Sequence, residues 1–169
     1  SLIATRLGCA LAADSLRQSE HSVRNTVFWQ PVANGRRCMT QFIRLRVAAS
    51  LMDDGGNESV KEIRGMLDQD GLATIAGYEL SSLLSRRIEQ LNLSALLDSK
   101  LGSLTIAEVG RTHDTGLSAA AQGLQSSALS QGIGVDSFRV TGDPFWMSTE
   151  IVVIDQLIGL TVERLKSSA

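Results

Sequence analysis

Leu2-Ile3-Ala4-Thr5-Arg6-Leu7-Gly8-Cys9-Ala10-Leu11-Ala12-Ala13 runs from an extended apolar segment straight into a helical pattern. Leu2-Ile3-Ala4 reads as the last residues of a strand already under way, and the helix that follows is rich in alanine and leucine. The opening therefore predicts a strand, a sharp turn at Thr5-Arg6-Leu7 and a helix reaching about Ser19. A chain beginning at the end of a buried strand is expected to be the later part of a longer one. Working outward, residues 23–29 (Val-Arg-Asn-Thr-Val-Phe-Trp) carry β-branched and aromatic residues and are stopped by Pro31, which predicts a second strand. The last third repeats the rhythm. A strand at 103–109 is followed by a turn at Gly110-Arg111-Thr112-His113-Asp114, a helix at 117–131 ended by Gly132-Ile133-Gly134, and a strand at 135–140. After Gly142-Asp143-Pro144, an amphipathic helix at 151–166 carries Val153, Leu157, Leu160, Val162 and Leu165. Strands and helices alternating over short connections predict an α/β fold, a mostly parallel sheet of about four strands flanked by helices.

Residues 35–100 break that rhythm. Cys38, Phe42, Leu45 and Ala49 give a helical period over 36–51, a second helix is expected near 60–69 and a third at 80–91, with a short extended piece at 74–77. The segment reads as a helical cap insertion over the C-terminal edge of the sheet, where α/β proteins place their ligands. Residues 1–34 and 101–169 are the core that it interrupts.

Bulk properties narrow the function. At 169 residues with 43% hydrophobic and 20% charged content, the chain is long enough for a sizeable core. A net charge of -2 argues against nucleic acid as a general partner. Cys9 and Cys38 match no metal-ligand spacing and no disulfide framework, so neither metal nor cofactor is implied, and a reducing cytoplasm is the simplest compartment. No apolar run approaches the roughly 20 residues that a membrane span requires.

Four short sequences add a resemblance: Ala4-Thr5-Arg6-Leu7-Gly8, Phe28-Trp29-Gln30-Pro31-Val32-Ala33-Asn34-Gly35, Ala76-Gly77-Tyr78-Glu79-Leu80 and Gly142-Asp143-Pro144-Phe145-Trp146. With the order of elements, they resemble the C-terminal part of α/β hydrolases, and within them the second type of hydrolase associated with the exosortase A system. The resemblance implies a partial α/β-hydrolase fold, an ester or thioester hydrolase of an exopolysaccharide or exosortase-associated system, and a small-molecule or acyl-bearing substrate. It also aligns Ala4-Thr5-Arg6-Leu7-Gly8 with the nucleophile elbow G-x-S-x-G. Arg6 then stands where the serine should be, and a guanidinium that stays protonated cannot attack a carbonyl. Asp114 falls where such folds carry the triad carboxylate, although an aspartate just before a helix is more commonly an N-cap. His113 is in the wrong loop for the base, His21 precedes a strand, and no histidine follows the last strand. The triad is degenerate.

Two functions remain open: a hydrolase with altered chemistry, or a catalytically silent homologue that binds a small anionic or amphipathic ligand or a partner protein. Arg6 at a helix N-terminus suits an anion, and equally an internal ion pair with Asp114 or Glu150. Trp29, Phe145 and Trp146 follow strand ends and can wall one crevice, or pack the insertion onto the sheet. Cys9 reads as a packed thiol rather than a displaced nucleophile. The Arg36, Arg37, Arg44 and Arg46 helix suits an acidic partner, or more simply a solvated face beside Asp53-Asp54. A short sheet also leaves an edge at residues 1–5, which predicts a homo-oligomer joined there.

Overall fold

The computed structural model describes residues 1–51, 58–112, 116–148 and 150–167. Four parallel strands form the main sheet: β1 (Leu2–Thr5), β2 (Asn25–Trp29), β5 (Ser103–Gly110) and β6 (Val135–Thr141), hydrogen-bonded in the order β1-β2-β5-β6. Their burial explains the order. β2 and β5 are buried along nearly their whole length, as strands covered on both faces must be, while β1 and β6 alternate and occupy the edges. Thr26, a buried polar residue of β2, donates from Oγ1 to the Leu101 carbonyl at 2.7 Å, so its burial leaves no unmet hydroxyl. Gly102 makes the entry to β5 possible. Its φ is +63°, and a Cβ there would lie 2.1 Å from the Arg24 carbonyl oxygen, which accepts from Ser103 N.

Helices α1 (Gly8–Gln18), α5 (Ala119–Ser130) and α6 (Asp155–Ser167) flank the sheet. The chain divides into two compact units, residues 1–33 with 92–169, and 34–91. Sequence periodicity carries the insertion to Lys100. The smaller unit stops at Leu91, because Leu93 and Leu101, both fully buried, sit in 3₁₀ turns that pack in the larger unit, the first against α1 and α5 and the second against α1.

The smaller unit differs from an all-helical insertion. It holds α2 (Gly35–Ser50), α3 (Val60–Asp70), an antiparallel hairpin of β3 (Leu72–Ile75) and β4 (Tyr78–Ser81), and α4 (Ser82–Glu89). Ser59 and Glu62 form a reciprocal capping box at the start of α3, and left-handed Gly71 ends it. The hairpin turns at Ala76-Gly77, with φ of +49° and +83°, the sign that tight two-residue hairpins need at both positions. Each strand has only four residues, too short for its alternation to stand out between helices. Met39, Ile43, Ile63, Leu67, Ala73, Ile75 and Leu80 make the unit's own core.

At the chain's end, α6 begins at Asp155 rather than at residue 151. Ile151 is 93% exposed and precedes the helix, and Asp155 places a carboxylate in the first turn, where the helix dipole favours it. Among the described residues no helix is long and apolar enough to cross a membrane.

Candidate ligand-binding site

Because β1, β2, β5 and β6 are parallel, their C-terminal ends share one edge of the sheet. Arg6 follows β1, Gln30 follows β2, and Phe145 and Trp146 lie in the 3₁₀ turn beyond β6. All belong to the larger unit.

Arg6 sits at the tip of the strand-to-helix turn with φ +54°. A non-glycine residue rarely adopts that conformation, and holding it costs roughly 1–3 kcal/mol. Both of its backbone groups are committed. The amide donates to Trp29 O at 3.1 Å, and the carbonyl accepts from Cys9 N at 3.2 Å and from Val32 N at 3.5 Å. The turn is thus strained, and its strain is held by neighbouring backbone. Gly8 is not forced by packing, since a Cβ there would meet nothing within 4 Å. Helix α1 starts without a side-chain cap and without an acidic residue in its first turn, so its positive end is not offset locally.

Gln30 and Trp146 are both in contact with the Arg6 side chain. Its Nη1 donates to the Gln30 carbonyl at 3.3 Å, and Cζ lies 4.9 Å from the centroid of the Trp146 ring. That distance is within cation–π range. Phe145 stands edge-on to Trp146 at 5.1 Å and to Trp29 at 6.3 Å. Trp29 is fixed at its polar end by Nε1 donating to Thr161 Oγ1 at 3.0 Å, and Thr161 in turn donates to Leu157 O. The structure therefore brings Arg6, Trp29, Phe145 and Trp146 into one cluster of a cation and three rings. Behind them Trp29 and Phe145 pack on the core residues Ala107, Val109, Phe138, Val140 and Leu157.

Cys9, the second residue of α1, is fully buried. Burial pushes its thiol up to about 12, against a smaller lowering by the Arg6 charge. A thiol held protonated is no nucleophile at neutral pH. Asp114 and His113 lie outside the described residues, as do Asp53 and Asp54. Of the basic helix, Arg46 pairs with Glu58 and also donates to Thr74 O at 3.2 Å, while Arg36, Arg37 and Arg44 are exposed. Among the described residues no group of three or more His, Cys, Asp or Glu could hold a metal ion.

Two participants escape sequence reading. Gln30 carries φ +46°, which neither its type nor the following proline signals. Thr161 was readable only as a polar interruption of an apolar helical stripe; that it meets an indole N–H needs the fold. No protein-family model matches this chain, and no curated protein matches it.

Proposed function

We propose that this chain is a binding protein built on an α/β-hydrolase frame, which takes a small anionic ligand with an apolar body and does not turn it over. The observation that carries the reading is Arg6 itself. It occupies the tip of a strained strand-to-helix turn, at φ +54°, with its guanidinium against the Trp146 ring. In the hydrolases that the sequence resembles, this tip presents the attacking hydroxyl. A permanent cation there, beside uncapped helix amides, recognises a carboxylate or phosphate instead. The rings of Trp29, Phe145 and Trp146 suit the ligand's apolar part. The parallel sheet, the insertion between β2 and β5, and the strained turn all support the hydrolase ancestry. The alternative, an ester or thioester hydrolase of an exosortase-associated system, rests on the sequence resemblance.

Calorimetric titration with octanoate and octyl phosphate tests the reading, alongside hydrolysis of a p-nitrophenyl ester. Arg6→Ala is expected to weaken binding at least about tenfold, the scale of one charge-assisted contact, and neither protein should hydrolyse the ester above the buffer rate. Equal affinity in the two proteins would remove the anion site. Protein-dependent ester hydrolysis that persists in Arg6→Ala would return the hydrolase reading.

A further inference from the structure

Gln30 is tied down at three points. β2 ends at Trp29, and Pro31 has no N–H with which to continue the ladder. Gln30 extends the pairing by one residue, its amide donating to Ala107 O at 2.7 Å. The next donor on β5, Val109 N, would look for a main-chain acceptor further along β2, but the chain has already turned away. The Gln30 side chain takes that place, its Oε1 accepting from Val109 N at 2.8 Å. Val109 is buried, so without this acceptor its amide would lose a bond in a place that water does not readily replace. Between the two anchors the backbone is held at φ +46°, and the carbonyl of this same residue accepts from Arg6 Nη1 at 3.3 Å. The guanidinium then lies 4.9 Å over the Trp146 ring.

We infer that Gln30 is the positioning residue for Arg6: its side-chain bond to Val109 N holds a strained backbone whose carbonyl sets the guanidinium on Trp146. The inference deepens the anion-site reading and rests on it for its functional meaning. Its geometry can be tested without any ligand. Glutamine is used where asparagine would fit the left-handed backbone better. The extra methylene gives the reach to β5 that asparagine lacks. A residue chosen only to turn the chain would not need that reach.

The test uses the full chain labelled with 5-fluorotryptophan, whose two ¹⁹F signals are assigned with Trp29→Phe. Gln30→Asn keeps the backbone preference and loses the reach; Gln30→Glu keeps both the reach and the acceptor. The Trp146 signal is expected to move in Gln30→Asn toward its position in Arg6→Ala, while the Trp29 signal stays and Gln30→Glu restores the wild-type position. An unmoved Trp146 signal in Gln30→Asn, or an equal shift in Gln30→Glu, overturns the inference. Hydrogen exchange in the wild-type protein is a second measurement that needs no variant to fold: the Val109 amide should be protected, and fast exchange overturns the bond. Octanoate separates this inference from the reading beneath it. If the signal moves as expected but wild type binds no octanoate, the positioning stands and the anion site falls.

Discussion

Arg46 in the smaller unit and Arg6 in the larger one both donate to a backbone carbonyl at the end of a strand, yet they are held by different chemistry. Arg46 meets both oxygens of Glu58, reaches Thr74 O at 3.2 Å, and touches Met66 Sδ at 3.6 Å. Its charge is spent on fastening α2 to the approach to α3 and the end of β3. Arg6 is laid against an indole face and the carbonyl of a strained residue. A ring and a carbonyl orient a guanidinium through its face and its N–H groups, whereas a carboxylate also brings an opposite charge.

The largest effect should come from the core beneath Arg46. Ile63 is fully buried in the smaller unit's own cluster, and Ile63→Ala should cost about 2–5 kcal/mol. The chain's reporters are conveniently divided: Trp29 and Trp146 lie in the larger unit, and the one tyrosine, Tyr78, lies in the smaller. In denaturant, the circular-dichroism transition should therefore shift or split while the tryptophan emission transition keeps its midpoint. Coincident, equally shifted transitions would show that the two units unfold as one.

The arginines themselves give the next contrast. Arg46→Ala leaves Glu58 without its partner and should lower stability by about 1–2 kcal/mol, since the pair is about three-quarters buried. Arg6→Ala should change stability by no more than about 0.5 kcal/mol, while ligand affinity falls at least about tenfold. Thermal melts of both variants, set beside octanoate titrations, read the two effects separately. Arg6→Ala that unfolds more readily than Arg46→Ala would make Arg6 the structural residue of the two. A control lies close by. Because Cys9 is buried and its thiol pushed up to about 12, Ellman's reagent should leave it unmodified at pH 8 until the protein unfolds.

The fold was legible where the sequence pattern was dense. Buried β2 and β5 announced themselves through their β-branched, aromatic and apolar residues, and the turn at Thr5-Arg6-Leu7 through the abrupt change of period that follows it. The gathering of Trp29, Phe145 and Trp146 followed from their places after strand ends, once those strands were parallel. Of the β3–β4 hairpin only a short extended piece at 74–77 was legible, because each strand has four residues and the helical period was carried back to Leu80, inside β4. Gln30 was not legible. Its left-handed backbone is imposed by bonds to Ala107 O and Val109 N, residues far away in sequence that only the sheet register brings near. Ile151 misled in the opposite direction, since an exposed apolar residue continued a helical period that the backbone does not adopt.

The smallest effect is one of pH, and it isolates the Arg46 side of the comparison. Hydrogen bonding from Arg46, and then its charge, hold the Glu58 carboxyl below the ordinary carboxylate range, with partial desolvation opposing them. A carboxylate whose folded value is depressed binds its proton more readily in the unfolded chain. Its contribution is therefore full above the unfolded value of about 4.3 and is lost as pH falls through the folded one. Glu58→Gln removes that dependence. The stability difference between wild type and Glu58→Gln should be about 1 kcal/mol at pH 7 and shrink as pH falls below the unfolded value and through the lower folded one. Circular dichroism follows the transition of the whole chain, with tryptophan emission from the larger unit as the internal reference. A difference that stays constant over this range would mean that Glu58 holds Arg46 by shape and hydrogen-bond geometry rather than by charge.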